Sequence, residues 1–85
     1  MELKEQFEQA AIDSKSLPEK PANDILLQLY SLYKQGSLGD VNVEPPSNPF
    51  DFVAKAKYEA WASLKGKSTE EAMKEYVALV KRLKG

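Results

Sequence analysis

The chain contains no cysteine and no histidine. Without cysteine the core must hold with no disulfide, which suits a reducing compartment. Without histidine there is no imidazole base, no histidine–metal site, and no Ser–His or Cys–His pair. No stretch approaches the roughly 18 apolar residues that a membrane span requires. The N-terminal residues carry Glu2, Glu5 and Glu8 with no apolar run, which is not the pattern of a secretory leader. A basic surplus is also missing. Twelve Lys and Arg face thirteen Asp and Glu, a formal net charge of −1, whereas a general nucleic-acid binder needs a basic excess. The expectation is a soluble, cytoplasmic monomer with no nucleic-acid partner, no stable membrane insertion, no metal and no cofactor. Any anion-binding role must come from the local placement of a few lysines.

What is present fits one small globular domain spanning residues 1–85. Hydrophobic residues are 42% and charged residues 29% of the chain, ordinary values for a folded protein. Four helical segments separate. The first covers 3–15, with Leu3, Phe7, Ala10, Ala11 and Ser14 at three- and four-residue spacing. Pro18 and Pro21 then break the pattern. The second covers 22–35, with Gly36 as a stop. A third begins after Asp51, a candidate N-cap, and reaches residue 65 before Gly66. The fourth opens at Ser68, which has capping-box spacing to Glu71, and runs to 84 with Ala72, Met73, Tyr76, Val77, Val80 and Leu83 on one face. Four short helices imply a bundle, because each apolar stripe must be covered by another helix. The irregular stretch 37–49 is long for a bundle connection. It is either a lid or a crossover that lets the second and third helices run in the same direction.

Three features exceed what a core requires. Between Ile25 and Tyr33, seven of nine residues are apolar or aromatic, covering an arc of about 220° on a helical wheel where a surface helix shows a stripe a little over 100° wide. Either this helix is packed on two sides, or the edge formed by Leu27, Tyr30 and Lys34 faces a ligand with an apolar tail and a polar head. In the third segment Val53, Ala56, Ala60, Trp61 and Leu64 form the apolar face, and Lys57 falls between Leu64 and Trp61. Its ammonium either snorkels to water or meets an anion beside an aromatic ring. Ala10 and Ala11, bracketed by Phe7 and Lys15, allow close helix packing or leave room for a flat or extended ligand.

The string Tyr30-Ser31-Leu32-Tyr33-Lys34-Gln35 followed by Gly39-Asp40 resembles the signature of the acyl-CoA-binding protein family. The resemblance extends to Lys20-Pro21-Ala22, Lys55-Ala56-Lys57-Tyr58-Glu59-Ala60-Trp61, Leu64-Lys65-Gly66 and Ala72-Met73-Lys74-Glu75-Tyr76. These blocks follow the family order over residues 7–83. The resemblance implies an all-α, four-helix up-down-down-up bundle with a long crossover between the second and third helices. It further implies a non-enzymatic carrier and buffer that binds long-chain fatty acyl-CoA one to one. Carried over by position, Tyr30, Tyr33 and Lys34 would contact the adenine nucleotide. Lys34 and Lys57 would grip the 3′-phosphate, Lys15 would reach the head group, and Tyr76 would hydrogen-bond to it. The acyl chain would lie between the first two helices against Phe7, Ala10, Leu26 and Leu27.

The chain departs from that family in places. The crossover reads Pro45-Pro46-Ser47-Asn48-Pro49, with one residue more than relatives often have. Val53 stands where they often carry a lysine, a role Lys55 can take over only in part. Ile12 and Ile25 occupy positions often polar in relatives and are expected to enlarge the apolar rim. Two other readings compete: a helical module that docks a partner helix, and a carrier of free fatty acids. Asp40 and Glu44 are the only loop carboxylates suggestive of acid–base work, and no nucleophile accompanies them.

Overall fold

A computed structural model describes residues 2–85. It contains four α-helices: α1 (Leu3–Ser14), α2 (Asn23–Leu38), α3 (Phe52–Ala62) and α4 (Thr69–Lys84). Among the described residues there is no strand.

The helix boundaries follow local chemistry. The Asp51 carboxylate accepts from the Ala54 amide (3.0 Å) and starts α3, and Ser68 Oγ accepts from the Glu71 amide (3.1 Å) and starts α4. Asp24 lies in the first turn of α2, and Lys81, Arg82 and Lys84 lie in the last turn of α4, each sign matched to the helix dipole.

Two boundaries differ from the sequence expectation. Gly36 does not stop α2. It is buried inside the helix, where a Cβ would lie 3.0 Å from Phe7 Cζ and 3.2 Å from Met73 Cγ, so the missing side chain admits a close helix–helix approach. The stop is Gly39, whose φ of +82° suits glycine and whose amide donates to the Gln35 carbonyl (3.0 Å). The third helix ends at Ala62 rather than 65. Beyond it the Leu64 and Lys65 amides donate three residues back, to Trp61 and Ala62, tightening the chain into turns that close at Gly66 with φ +94°.

The pairings define an up-down-down-up bundle. Lys84 pairs with Asp13 (3.1 Å), and Phe7 meets Tyr76, so α1 and α4 run in the same direction. Phe7 also stacks on Tyr33, while Lys15, eight residues later, shares a concavity with Tyr30, so α1 and α2 are antiparallel. Leu26 and Ala56 share a groove near the starts of α2 and α3, and Trp61 reaches Gly39 near their ends. These two helices are therefore parallel, and residues 39–51 form the crossover that returns the chain.

The core joins Phe7 and Ala10 of α1, Leu29 and Leu32 of α2, and Ala72, Tyr76, Val77, Leu79 and Val80 of α4. Burying a large apolar side chain contributes about 1.5–3 kcal/mol, which for a chain this short makes this cluster the main source of stability. Helix α2 packs against α4 on one side and α3 on another, which accounts for much of its wide apolar arc. Ile25 packs against the core instead of enlarging a rim, whereas Ile12 is exposed. Val53 is also exposed, at 66%, so the buried face of α3 centres on Trp61.

Candidate ligand-binding site

The aromatic residues of α1, α2 and α4 meet in one cluster. The Phe7 and Tyr33 rings stack at 5.3 Å, Tyr76 approaches Phe7 edge-on at 5.2 Å, and Tyr33 and Tyr76 lie 5.8 Å apart. Phe7 and Tyr76 are buried, but Tyr33 is 42% exposed. One side of the cluster is locked and the Tyr33 side is open to a partner. Burial raises the Tyr76 hydroxyl above its ordinary pKa, partly offset by its hydrogen bond to Ser14, so it stays protonated and donates to Ser14 Oγ (3.2 Å). Ser14 in turn donates to the Ala11 carbonyl (2.8 Å). Ala11, Ser14, Lys15, Tyr30, Tyr33 and Tyr76 line a concavity of about 300 Å³. Four of the six residues predicted to contact a head group, Lys15, Tyr30, Tyr33 and Tyr76, line it.

Tyr30 links this concavity to a second one. The Lys34 ammonium lies 5.7 Å from the Tyr30 ring centroid and 5.9 Å from that of Trp61, while the Lys57 ammonium lies 5.3 Å from Tyr30. Lysines from α2 and α3 thus converge on one phenol ring. Each cation–π contact contributes roughly 0.5–1 kcal/mol at such exposed positions. Among the described residues neither lysine, nor Lys15, forms an ion pair; the ion pairs there are Lys67–Glu75 and Lys84–Asp13. Three uncompensated cations around two tyrosines favour an anion with an aromatic group. Val43, Glu44 and Pro46 of the crossover and Trp61 of α3 wall the Lys57 side.

The residues predicted for an acyl chain are not brought together in one trough. Leu26 and Leu27 lie between α2 and α3, in a groove of about 340 Å³ with Asn23, Phe52, Val53, Ala56 and Lys57. Phe7 is buried in the aromatic cluster, with its edge toward Gly36. Ala10 is buried against Val77 and Val80 of α4. The reason is the pairwise packing: the outward side of α2 near its start meets α3, and α1 meets α4. Lys57 lines both the apolar groove and the Tyr30–Trp61 concavity, so the two are neighbours. Phe52 and Val53 were not among the sequence candidates, and Phe52 is 72% exposed. A phenylalanine directly after the Asp51 cap candidate was the signal available for it.

A polar clamp lies beneath the cationic end. Gln35, fully buried, donates from Nε2 to Asp40 Oδ1 (2.9 Å) and to the Lys67 carbonyl (2.8 Å). The same Asp40 oxygen accepts from the Gly66 amide (2.8 Å), and the Trp61 indole N–H donates to the Gly39 carbonyl (2.9 Å). The Gly66 amide first, and the Gln35 amide second, hold the Asp40 carboxyl below its ordinary 3.8. Asp40 is thus a bonded structural carboxylate. Among the described residues no group of three or more His, Cys, Asp or Glu is arranged to hold a metal.

Comparison with known proteins agrees with this geometry. A family model described as "Acyl CoA binding protein" matches residues 4–80. The acyl-CoA-binding protein of Ricinus communis is 48% identical over 85 residues, covering all of this chain and 93% of the relative. That of Saccharomyces cerevisiae is 51% identical over 77 residues, 91% of this chain and 87% of the relative. The crystal structure of Oryza sativa acyl-CoA-binding protein 2 superposes with a TM-score of 0.90 at 41% identity, over 96% of this chain and 90% of that one. A four-helix bundle with an aromatic, cationic concavity beside an apolar groove has the chemistry to suit an amphipathic anion. This chain belongs to the acyl-CoA-binding protein family.

Proposed function

We propose that the whole chain is one acyl-CoA-binding domain that takes long-chain fatty acyl-CoA esters one to one, acting as a monomeric cytoplasmic carrier and buffer. The observation that carries this reading is the pair of unpaired ammonium groups, Lys34 and Lys57, over one Tyr30 ring beside an apolar groove. In this proposal the 3′-phosphate pairs with Lys34 and Lys57, and the adenine lies against the open side of Tyr33. Tyr30 takes the nucleotide edge, and Lys15 and Tyr76 border the head group. The tail runs over Leu26, Leu27 and Ala56 toward Phe52 and Val53, while Phe7 and Ala10 shape the bundle that holds the site open.

The energetics divide the labour. Each buried methylene contributes about 0.8 kcal/mol, so shielding ~12 of them gives on the order of 10 kcal/mol before the cost of association. That quantity reports length and not identity. Charge-assisted bonds from the two lysines, roughly 1.5–3 kcal/mol each, select the phosphorylated head. No step of bond making is involved, and the thioester leaves intact.

Calorimetric titration with palmitoyl-CoA tests this, with coenzyme A and palmitate as controls and the recovered ligand assayed for intact thioester. One tight site for palmitoyl-CoA with far weaker binding of either half supports the reading. Equal binding of palmitate would instead identify a fatty-acid carrier, and hydrolysed thioester would mean catalysis.

A further inference from the structure

We infer that Asp40, although it does not line the concavities at Tyr30, is a positioning residue for phosphate recognition, acting through Gln35, Gly39 and Trp61 on Lys34. This rests on the head-group assignment proposed above. The Lys34 ammonium lies between two rings, Tyr30 and Trp61. Tyr30 belongs to the same helix as Lys34, so its place is set by α2 itself. Trp61 comes from α3 and is held at 3% exposure by a single directional bond, from its indole N–H to the Gly39 carbonyl. Gly39 is the residue at which α2 ends, with a backbone conformation at φ +82° that is soft unless fixed from both sides. Its own amide is tied to Gln35, and the next residue, Asp40, is tied to Gly66 and again to Gln35. Gln35 closes the circuit at the Lys67 carbonyl.

Asp40 Oδ1 joins the end of α2 to the turn between α3 and α4 at the Gly66 amide, beside the Gln35 bond to the Lys67 carbonyl, and among the described residues it alone ties the residue that follows Gly39. Gln35 Oε1 is buried with no hydrogen-bond partner among the described residues, so Gln35 is held by its donated bonds alone. Removing the Asp40 oxygen leaves Gly39 restrained only through its own amide, so that its carbonyl can shift, carry the indole with it and loosen the second ring beside Lys34. The consequence falls on the cationic end; the groove at Leu26, Leu27 and Val53 lies at the other end of α2 and α3.

The test measures the Kd ratio between 3′-dephospho-dodecanoyl-CoA and dodecanoyl-CoA, and the gain in affinity per methylene across C8 to C12 esters, for the wild type, Asp40→Ala, Asp40→Asn and Trp61→Phe. Asp40→Ala should cut the ratio roughly tenfold, the scale of one charge-assisted bond, with the methylene increment unchanged. Asp40→Asn keeps an oxygen acceptor and should stay within about twofold of the wild type. Trp61→Phe removes the indole donor together with its five-membered ring, keeps one aromatic face for Lys34, and should cut the ratio at least as far as Asp40→Ala does, which keeps the test available should that variant fail to fold. A residue that merely stabilises the fold would lower Tm and weaken both esters equally, leaving the ratio intact; that result overturns the inference. A wild type that does not distinguish the two esters would instead overturn the head-group assignment.

Discussion

Lys57 is exposed and forms no ion pair, yet its ammonium lies 5.3 Å from the Tyr30 ring. Lys57→Ala should therefore leave thermal stability nearly unchanged, since an exposed cation–π contact contributes only about 0.5–1 kcal/mol. The same change should weaken binding of a 3′-phosphorylated ester about tenfold or more and leave the dephospho ester almost unaffected. Isothermal titration with both esters and one melting curve check the pair of outcomes. Gly36 makes the opposite kind of prediction. Its methyl would meet the Phe7 edge at 3.0 Å, and the ring contacts of Phe7 with Tyr33 and Tyr76 must be disturbed for it to give way. Gly36→Ala should cost about 1–3 kcal/mol by overpacking, despite the better helix propensity of alanine, read as a shift in urea midpoint.

At the scale of helices, Ser68 caps α4, the helix that packs against both α1 and α2. Ser68→Ala should destabilise the protein by about 1 kcal/mol, measurable by urea unfolding. This cap was legible in the sequence, because the Ser68-to-Glu71 spacing is local. Asp51 and the proline breaks were legible for the same reason. Gly36 misled because glycine signals a helix stop when the backbone needs φ > 0, but here it is helical and supplies space for Phe7 of another helix. The burial of Leu79 and the exposure of Val53 were equally invisible to a helical wheel, which assumes one apolar arc while α2, α3 and α4 share theirs unequally. At the site, the family pattern named Tyr30, Lys34 and Lys57, but only packing of α2 on α3 reveals that both ammonium groups share one ring. The Gln35–Asp40–Gly66 clamp was missed because its partners lie 26 and 32 residues apart.

For the molecule as a whole, two carboxylates contribute to the acid response. Asp40 is held below 3.8 by Gly66 and Gln35, and Asp13 by Lys84 and Gln9. A carboxyl whose folded pKa is depressed stabilises the fold above its unfolded value and loses that contribution as pH falls through the folded one. Stability should therefore decline from about pH 4 downward, and Asp40→Asn or Asp13→Asn should make that decline shallower in circular-dichroism titrations. A ligand that binds only the folded state adds stability in the other direction. Palmitoyl-CoA at 100 times its Kd should raise the unfolding free energy by about 2.7 kcal/mol, visible as a higher Tm. Coenzyme A at the same concentration should raise it far less.

Trp61 is the only tryptophan in the chain, and a lysine ammonium sits 5.9 Å from its ring. The protein therefore carries a single indole, and the nearby charge bears on its emission. If a phosphate pairs with Lys34, the emission maximum should shift, whereas a ligand confined to the far groove should leave the spectrum where it was. Occupancy of the two halves of the site can thus be told apart with light alone, with no label attached.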